Sequence, residues 1–272
     1  MSEAYLMKKS SHIRKQTLTS IATLGIGHLG GSLSIVDILV VLYYGIMNID
    51  PSNPKMEGRD RFVLSKGHAG PALYAVLADK GFFSSDHLAT LNLLGTSLPS
   101  HCDMALTPGI DMTTGSLGQG LSCAVGIAIG AKIKKERSRV YAIIGDGESQ
   151  EGQIWEAAMF ASQKKLENLI VFCDNNKLQV DGYVDQINTL GDLSAKWTAF
   201  GWDTQIIDGH NHRMILQAIE KAQMDGDRPH MIISNTIKGK GIDFCEQAAA
   251  GNHNMPVTKD DYMQALATLE LE

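Results

Sequence analysis

Aromatic residues make up only 6% of this 272-residue chain, which has just four cysteines and seven prolines. Cys102, Cys123, Cys173 and Cys245 are widely spaced and form no CxxC pair. That spacing suggests neither a thiolate metal site nor a disulfide framework, and a reduced cytoplasm is the expected compartment. Positive charge is also short: 24 Lys and Arg stand against 30 Asp and Glu, a formal net charge of −6, and no extended basic cluster occurs. Nucleic acid and acidic membrane surfaces are therefore not expected as partners. The N-terminal segment MSEAYLMKKSSHIRK has no apolar signal core, and the apolar stretch 35–44 contains Asp37 and is too short to span a bilayer. No Pro/Gly/Ser-rich linker, charge block or internal repeat divides the chain, so residues 1–272 are expected to form a single domain with a substantial core.

What is present is a sequence of alternating patterns. Residues 34–47 and 70–80 carry apolar positions at helical spacing, so roughly the first 110 residues are expected to be mainly helical, with Phe62-Val63-Leu64 a strand-like run among them. Short β-branched apolar runs come later, at 139–144 (RVYAII), 168–173 (NLIVFC), 203–207 and 230–234. Helical stretches at 149–164, 193–200 and 214–224 separate them. Strand and helix in alternation imply an α/β fold with a mostly parallel sheet flanked by helices and right-handed crossovers. The Gly- and Ala-rich stretch 117–133 reads as a tightly packed buried helix, and Trp155, Ala158 and Met159 are expected in the core.

Two loops at consecutive strand ends carry the chemistry. Gly145-Asp146-Gly147-Glu148 follows the first late strand, and Asp174-Asn175-Asn176-Lys177-Leu178 follows the second. Loops beyond the carboxyl ends of parallel strands are where open α/β sheets bind ligands. A carboxylate from Asp146, an amide oxygen from Asn176 and the Leu178 carbonyl would give three hard oxygens, a set suited to octahedral Mg²⁺ that Mn²⁺ or Ca²⁺ could also occupy. Gly147 allows close approach to a phosphate, and the helix start beyond it offers free N–H groups and a positive dipole end. Gly-Asp-Gly alone is an ordinary turn; the paired asparagine loop favours a diphosphate cofactor with its metal.

This arrangement resembles that of the thiamine-diphosphate enzymes, and four further strings narrow the resemblance to the transketolase family: Gly27-His28-Leu29-Gly30-Gly31, the 61–68 string RFVLSKGH, the 113–120 string TTGSLGQG and the 236–241 string TIKGKG. All stand in the family's order, and the resemblance runs from about His12 to about Pro256. It implies a thiamine-diphosphate domain of the diphosphate-binding (PP) type, with thiamine diphosphate and Mg²⁺ as cofactors. By the same resemblance Asp146, Asn176 and Leu178 would hold the metal, and His68, Gly115, Ser116, Leu117, Gly147, Glu148, Asn176 and Lys238 would touch the cofactor. His28, His68, His101 and His253 would contact substrate and handle protons. Glu151 and Glu156 correspond to an acidic relay across a dimer interface, although acids in a helix's first turns are expected anyway.

The match has departures. Ile26 stands where the family has Ser, Leu29 and Cys102 where it has Pro, and Asn254 follows His253 where it has Gly. By residue type alone His28 would cap a helix and Lys238 would be a solvated loop lysine. Full-length relatives are about twice as long and carry the glutamate that serves the cofactor's aminopyrimidine ring in a second domain. The resemblance thus implies the N-terminal subunit of a split transketolase, inactive alone, pairing with a separately encoded C-terminal subunit in an α₂β₂ assembly, self-associating through its PP domains. Its reaction would cleave a ketose phosphate between C2 and C3 and pass the two-carbon ketol unit to an aldose. A 1-deoxyxylulose-5-phosphate synthase-like carboligase shares the GHLGGSL opening, but SKGH and TTGSLGQG favour transketolase. The remaining alternatives are an unrelated α/β binding module and a non-catalytic, cofactor-binding orphan subunit.

Overall fold

The computed structural model describes residues 2–180, 182–224 and 226–269. Its centre is a sheet of five parallel strands: β1 (Arg61–Leu64), β2 (Val140–Gly145), β3 (Leu169–Asn175), β4 (Asp203–Asp208) and β5 (His230–Asn235), in the order β1-β2-β3-β5-β4. Four of these are the apolar runs expected from the sequence. The fifth, β1, lies within the region expected to be mainly helical, at the run Phe62-Val63-Leu64 that reads as strand-like. Its four residues are too few to show a period, and pairing with β2 fixes its place in the sheet. β3 is buried along its whole length because it has strands on both edges and helices on both faces, which is why it reads as a continuous apolar run instead of alternating.

Helices α1 (Glu3–Leu24), α2 (Leu29–Leu33), α3 (Val36–Val41) and α4 (Gly70–Lys80) cover one face of the sheet. There Tyr141, Ile143, Ile170, Phe172 and Ile232 meet Leu18, Ile38, Leu39 and Leu73. On the other face α5 (Gln119–Lys134), α6 (Gly152–Gln163) and α7 (Leu193–Ala199) pack over Val140, Ala142, Ile144, Val171 and Ile233. The period-2 split of β2 between these two clusters is the pleat of the strand expressed as packing. α8 (His212–Met224) returns to the first face, and α9 (Lys259–Leu269) packs against α1.

Several expectations need correction. The apolar stretch around 35–44 is part of a longer one: Leu29–Ile46, with mean hydropathy 1.8, is long and apolar enough to cross a membrane by length and composition. Here 83% of that stretch is buried inside the protein. A break at Ile35 and a π-helical turn over Leu42–Ile46 shape it to the sheet as core material. The helix expected over 149–164 starts as a 3₁₀ turn at Gly147–Gln150 and is interrupted at Glu151, where ψ is 132°, before α6 begins. Met159 is not core: α6 turns Ile154, Ala157, Ala158 and Ala161 inward and leaves Met159 and Phe160 outside. Trp155 is half-buried, with its ring tilted against both Trp197 and Phe200. Nor is α5 fully buried, because Gly126 and Gly130 face open space and Ile133 is exposed.

Candidate functional site

Because the five strands are parallel, their carboxyl ends open onto the same edge of the sheet. β1 delivers Ser65 to His68 there, β2 delivers Asp146 to Glu148, β3 delivers Asn176 to Leu178, and β5 delivers Thr236 to Lys238. Asp146 is only 2% exposed. Its Oδ1 accepts from Gly147 N–H at 2.7 Å and its Oδ2 from Lys177 N–H at 2.6 Å. Lys177 adopts the left-handed conformation (φ 68°) that turns its amide back toward the carboxylate. Burial, then the Asp174 charge, raises the Asp146 pKa to about 6. A buried carboxylate with a spare lone pair on each oxygen and no ion-pair partner among the described residues suits a metal cation.

Asn176 stands beside it with its amide orientation set. Its Nδ2 donates to Asp174 Oδ2 at 2.9 Å, and its Oδ1 accepts from Leu178 N–H at 3.0 Å. Asp174 is the hub beneath. It also accepts from Ser34 Oγ at 2.7 Å, from the buried Lys66 ammonium and from Thr236 Oγ1. Burial opposes its charge, but Lys66 together with the Thr236 and Ser34 hydrogen bonds outweighs burial, and its carboxyl ends below the usual range. Among the described residues no group of three His, Cys, Asp or Glu side chains is placed to hold a metal. The expected ligand set, one carboxylate with an amide and a backbone carbonyl, does not require one.

Glu148 is turned inward. Its carboxylate accepts from Ser65 Oγ, from Gly118 N–H at 2.8 Å and from Gly145 N–H at 3.0 Å, tying the loops after β1 and β2 to the start of α5. That side chain is a brace between loops, not a group presented to a ligand. Gly115 (φ 150°) and Gly118 (φ 92°) hold backbone conformations that favour glycine, with the exposed Ser116 and Leu117 between them. A Cβ on Gly67 would lie 2.8 Å from Thr114 Oγ1 and 2.9 Å from Gly115 N, so the SKGH and TTGSLGQG strings touch through a gap only glycine leaves.

The four histidines meet. The His28 ring centroid lies 5.5 Å from His68, 5.5 Å from His101 and 5.2 Å from His253, and His68 lies 4.8 Å from His253. A two-stranded antiparallel ribbon makes this possible. Ile26–Gly27 pairs with Met255–Pro256, bringing His28, which follows the first strand, beside His253, two residues before the second. Burial, followed by His101 and Lys238, lowers the His28 pKa to about 4. Burial, followed by the Lys238 charge, brings His253 to about 4 as well. Burial and the Lys66 charge hold His68 well below its usual value, and burial lowers His101. All four rings are therefore neutral at pH 7, able to accept as well as donate hydrogen bonds.

Lys238 is buried, and burial lowers its pKa to about 8. Glu151 and Glu156 lie exposed, Glu151 with its side chain against Gly118. Sequence reasoning overlooked Lys66, Asp174 and Asn252. Lys66 and Asp174 sit inside strings already singled out, and a charged residue at the carboxyl end of an apolar strand was the available signal. Asn252 gives no local signal.

Over residues 7–272 the chain matches the family described as "Transketolase, thiamine diphosphate binding domain". This chain belongs to the transketolase family. It is 56% identical over 267 residues to the 6-deoxy-6-sulfo-D-fructose transketolase subunit SqwG of Clostridium sp. (strain MSTE9), covering 98% of this chain and 97% of that protein. It is 40% identical to an apulose-4-phosphate transketolase subunit of Phocaeicola vulgatus, covering 95% and 91%. Crystalline transketolase from Campylobacter jejuni subsp. jejuni has the same fold with a TM-score of 0.93 at 30% identity, over 99% of this chain but only 43% of that one. The chain is thus the thiamine-diphosphate-binding N-terminal portion of a transketolase, of the length of these subunits and under half that of the solved enzyme. The resemblance read from the sequence holds, and so does the mostly parallel α/β fold.

Proposed function

We propose that this chain is the N-terminal subunit of a two-chain transketolase that acts on a sulfonated ketose, 6-deoxy-6-sulfo-D-fructose, as its two-carbon donor. The observation that carries the substrate is the 56% identity, across nearly the full length of both chains, to a subunit named for that sugar. The two-chain arrangement is supported by relatives of matching length that are themselves called subunits. A separately encoded C-terminal subunit would complete the site, and α₂β₂ is the proposed assembly, in the cytoplasm.

Thiamine diphosphate supplies, when bound, the nucleophilic carbon that cleaves a ketose beside its carbonyl. Asp146, Asn176 and the Leu178 carbonyl would hold Mg²⁺, a role that the buried, uncompensated Asp146 carboxylate supports. The backbone around Gly115–Leu117 and Gly147 would lie against the cofactor, and Lys238 would offset diphosphate charge. His28, His68, His101 and His253, neutral and clustered, would hydrogen-bond the hydroxyls near the reacting carbons and move protons at their ring nitrogens.

The test is ketol transfer with the chain alone and then mixed with its C-terminal partner, Mg²⁺ and thiamine diphosphate, offering 6-deoxy-6-sulfo-D-fructose and, separately, xylulose 5-phosphate. Turnover of the sulfonated sugar by the mixture only is expected. Turnover by this chain alone would overturn the two-chain reading, and preference for xylulose 5-phosphate would overturn the donor.

A further inference from the structure

Lys238 and His253 face each other across a turn that Asn252 holds shut. Asn252 has no solvent exposure, and its Nδ2 donates to the carbonyls of Lys238 at 3.0 Å and Cys245 at 2.9 Å. The lysine segment is also braced along its own length. Gly239 N–H donates to Gly30 O at 3.0 Å, Ile237 N–H donates to His210 Nε2 at 2.8 Å, and Arg14 Nε donates to Lys240 O at 3.1 Å. With its backbone held on both sides, Lys238 places Nζ 3.4 Å from His253 Nδ1. An ammonium offers three donors and no acceptor. A neutral imidazole that meets it through Nδ1 presents a lone pair there and carries its proton on Nε2.

We propose that Lys238 is a positioning residue that fixes His253 as its Nε2–H tautomer, with Asn252 holding the lysine in register. In a cluster of four neutral imidazoles the tautomer decides which ring edge donates and which accepts, so this contact gives the cluster one donor of defined direction. The assignment concerns the chain by itself and does not rest on which sugar reacts. His210 supplies an opposite case in the same molecule. Its Nε2 accepts from the Ile237 amide while Nδ1 lies 2.8 Å from Asp37 Oδ2, so its proton belongs on Nδ1.

The experiment is ¹H–¹⁵N NMR of the histidine-labelled chain at pH 7 without cofactor, with His253→Gln and His210→Gln assigning the signals. Wild type should show a bare Nδ1 and a protonated Nε2 at His253, and the reverse at His210. In Lys238→Met the two His253 nitrogen resonances should move toward each other as both tautomers populate, while His210 stays put and reports an intact fold. Lys238→Arg, which keeps donors there, should restore the wild-type pattern. Should Lys238→Met disturb His210 as well, Asn252→Ala is judged by the same shift. Nδ1–H at His253 in wild type, or an unchanged His253 in the variant that leaves His210 intact, would overturn the assignment. Failure of the cofactor or donor proposals would leave these spectra as they are.

Discussion

At the scale of single residues, Asp146 carries a buried charge that burial and Asp174 both oppose. Its carboxylate has lost water, has two backbone donors and has no ion-pair partner among the described residues; a divalent cation would supply the compensation. Asp146→Ala should lower Mg²⁺-dependent thiamine diphosphate affinity by on the order of 100-fold in calorimetry, with the melting temperature kept or raised because an uncompensated charge has gone. Unchanged affinity would remove Asp146 from the metal site. His253 ties stability to pH. Its pKa is about 4 in the fold and roughly 6.5 in the unfolded chain. Between those values the unfolded state binds more protons, so this group makes stability fall as pH drops from 6.5 to 4. His253→Gln removes that dependence, and melting curves should show the variant gaining on wild type across that window. A constant difference would argue that the imidazole is not held neutral.

Elements are where local pattern and tertiary contact divided the work. β2 and β3 are continuous enough in apolar residues to be read directly, so the Gly-Asp-Gly and Asp-Asn-Asn loops could be placed on neighbouring strand ends from the sequence alone. β1 was legible only as a short strand-like run, since four residues carry no period, and its place in the sheet, decided by the β2 edge, was hidden. The stop at Glu151 was equally hidden, because the brace from Glu148 to Ser65 and Gly118 that accompanies the 3₁₀ turn comes from distant loops. The contact of Gly67 with Thr114 and Gly115 can be probed at this level. Gly67→Ala should cost about 1–3 kcal/mol of stability by overpacking, read in urea unfolding, and should weaken cofactor binding by displacing both loops. A fully stable variant with native affinity would show that the loops need not touch.

For the whole molecule, the outer face of α5 and α6 is an exposed apolar surface. Leu117, Ile133, Met159 and Phe160 are exposed there, next to Gly126 and Gly130, which leave room for close approach, and near the exposed Glu151 and Glu156. Self-association of PP domains would bury this face. Phe160→Asp should shift the chain or its complex to a smaller species by light scattering after gel filtration, with the melting temperature of the chain unaltered. An unchanged mass would move the interface elsewhere. The α/β alternation, the two oxygen-bearing loops and the family are legible in the chain itself, because they are written in local periods and short strings. Only the tertiary structure decided that His28, His68, His101 and His253, from four separate segments, share one site. It also decided that Lys66, Asp174 and Asn252 support that site. Such meetings depend on sheet order and on the ribbon between Ile26–Gly27 and Met255–Pro256, contacts between residues far apart in the chain that no local rule reaches.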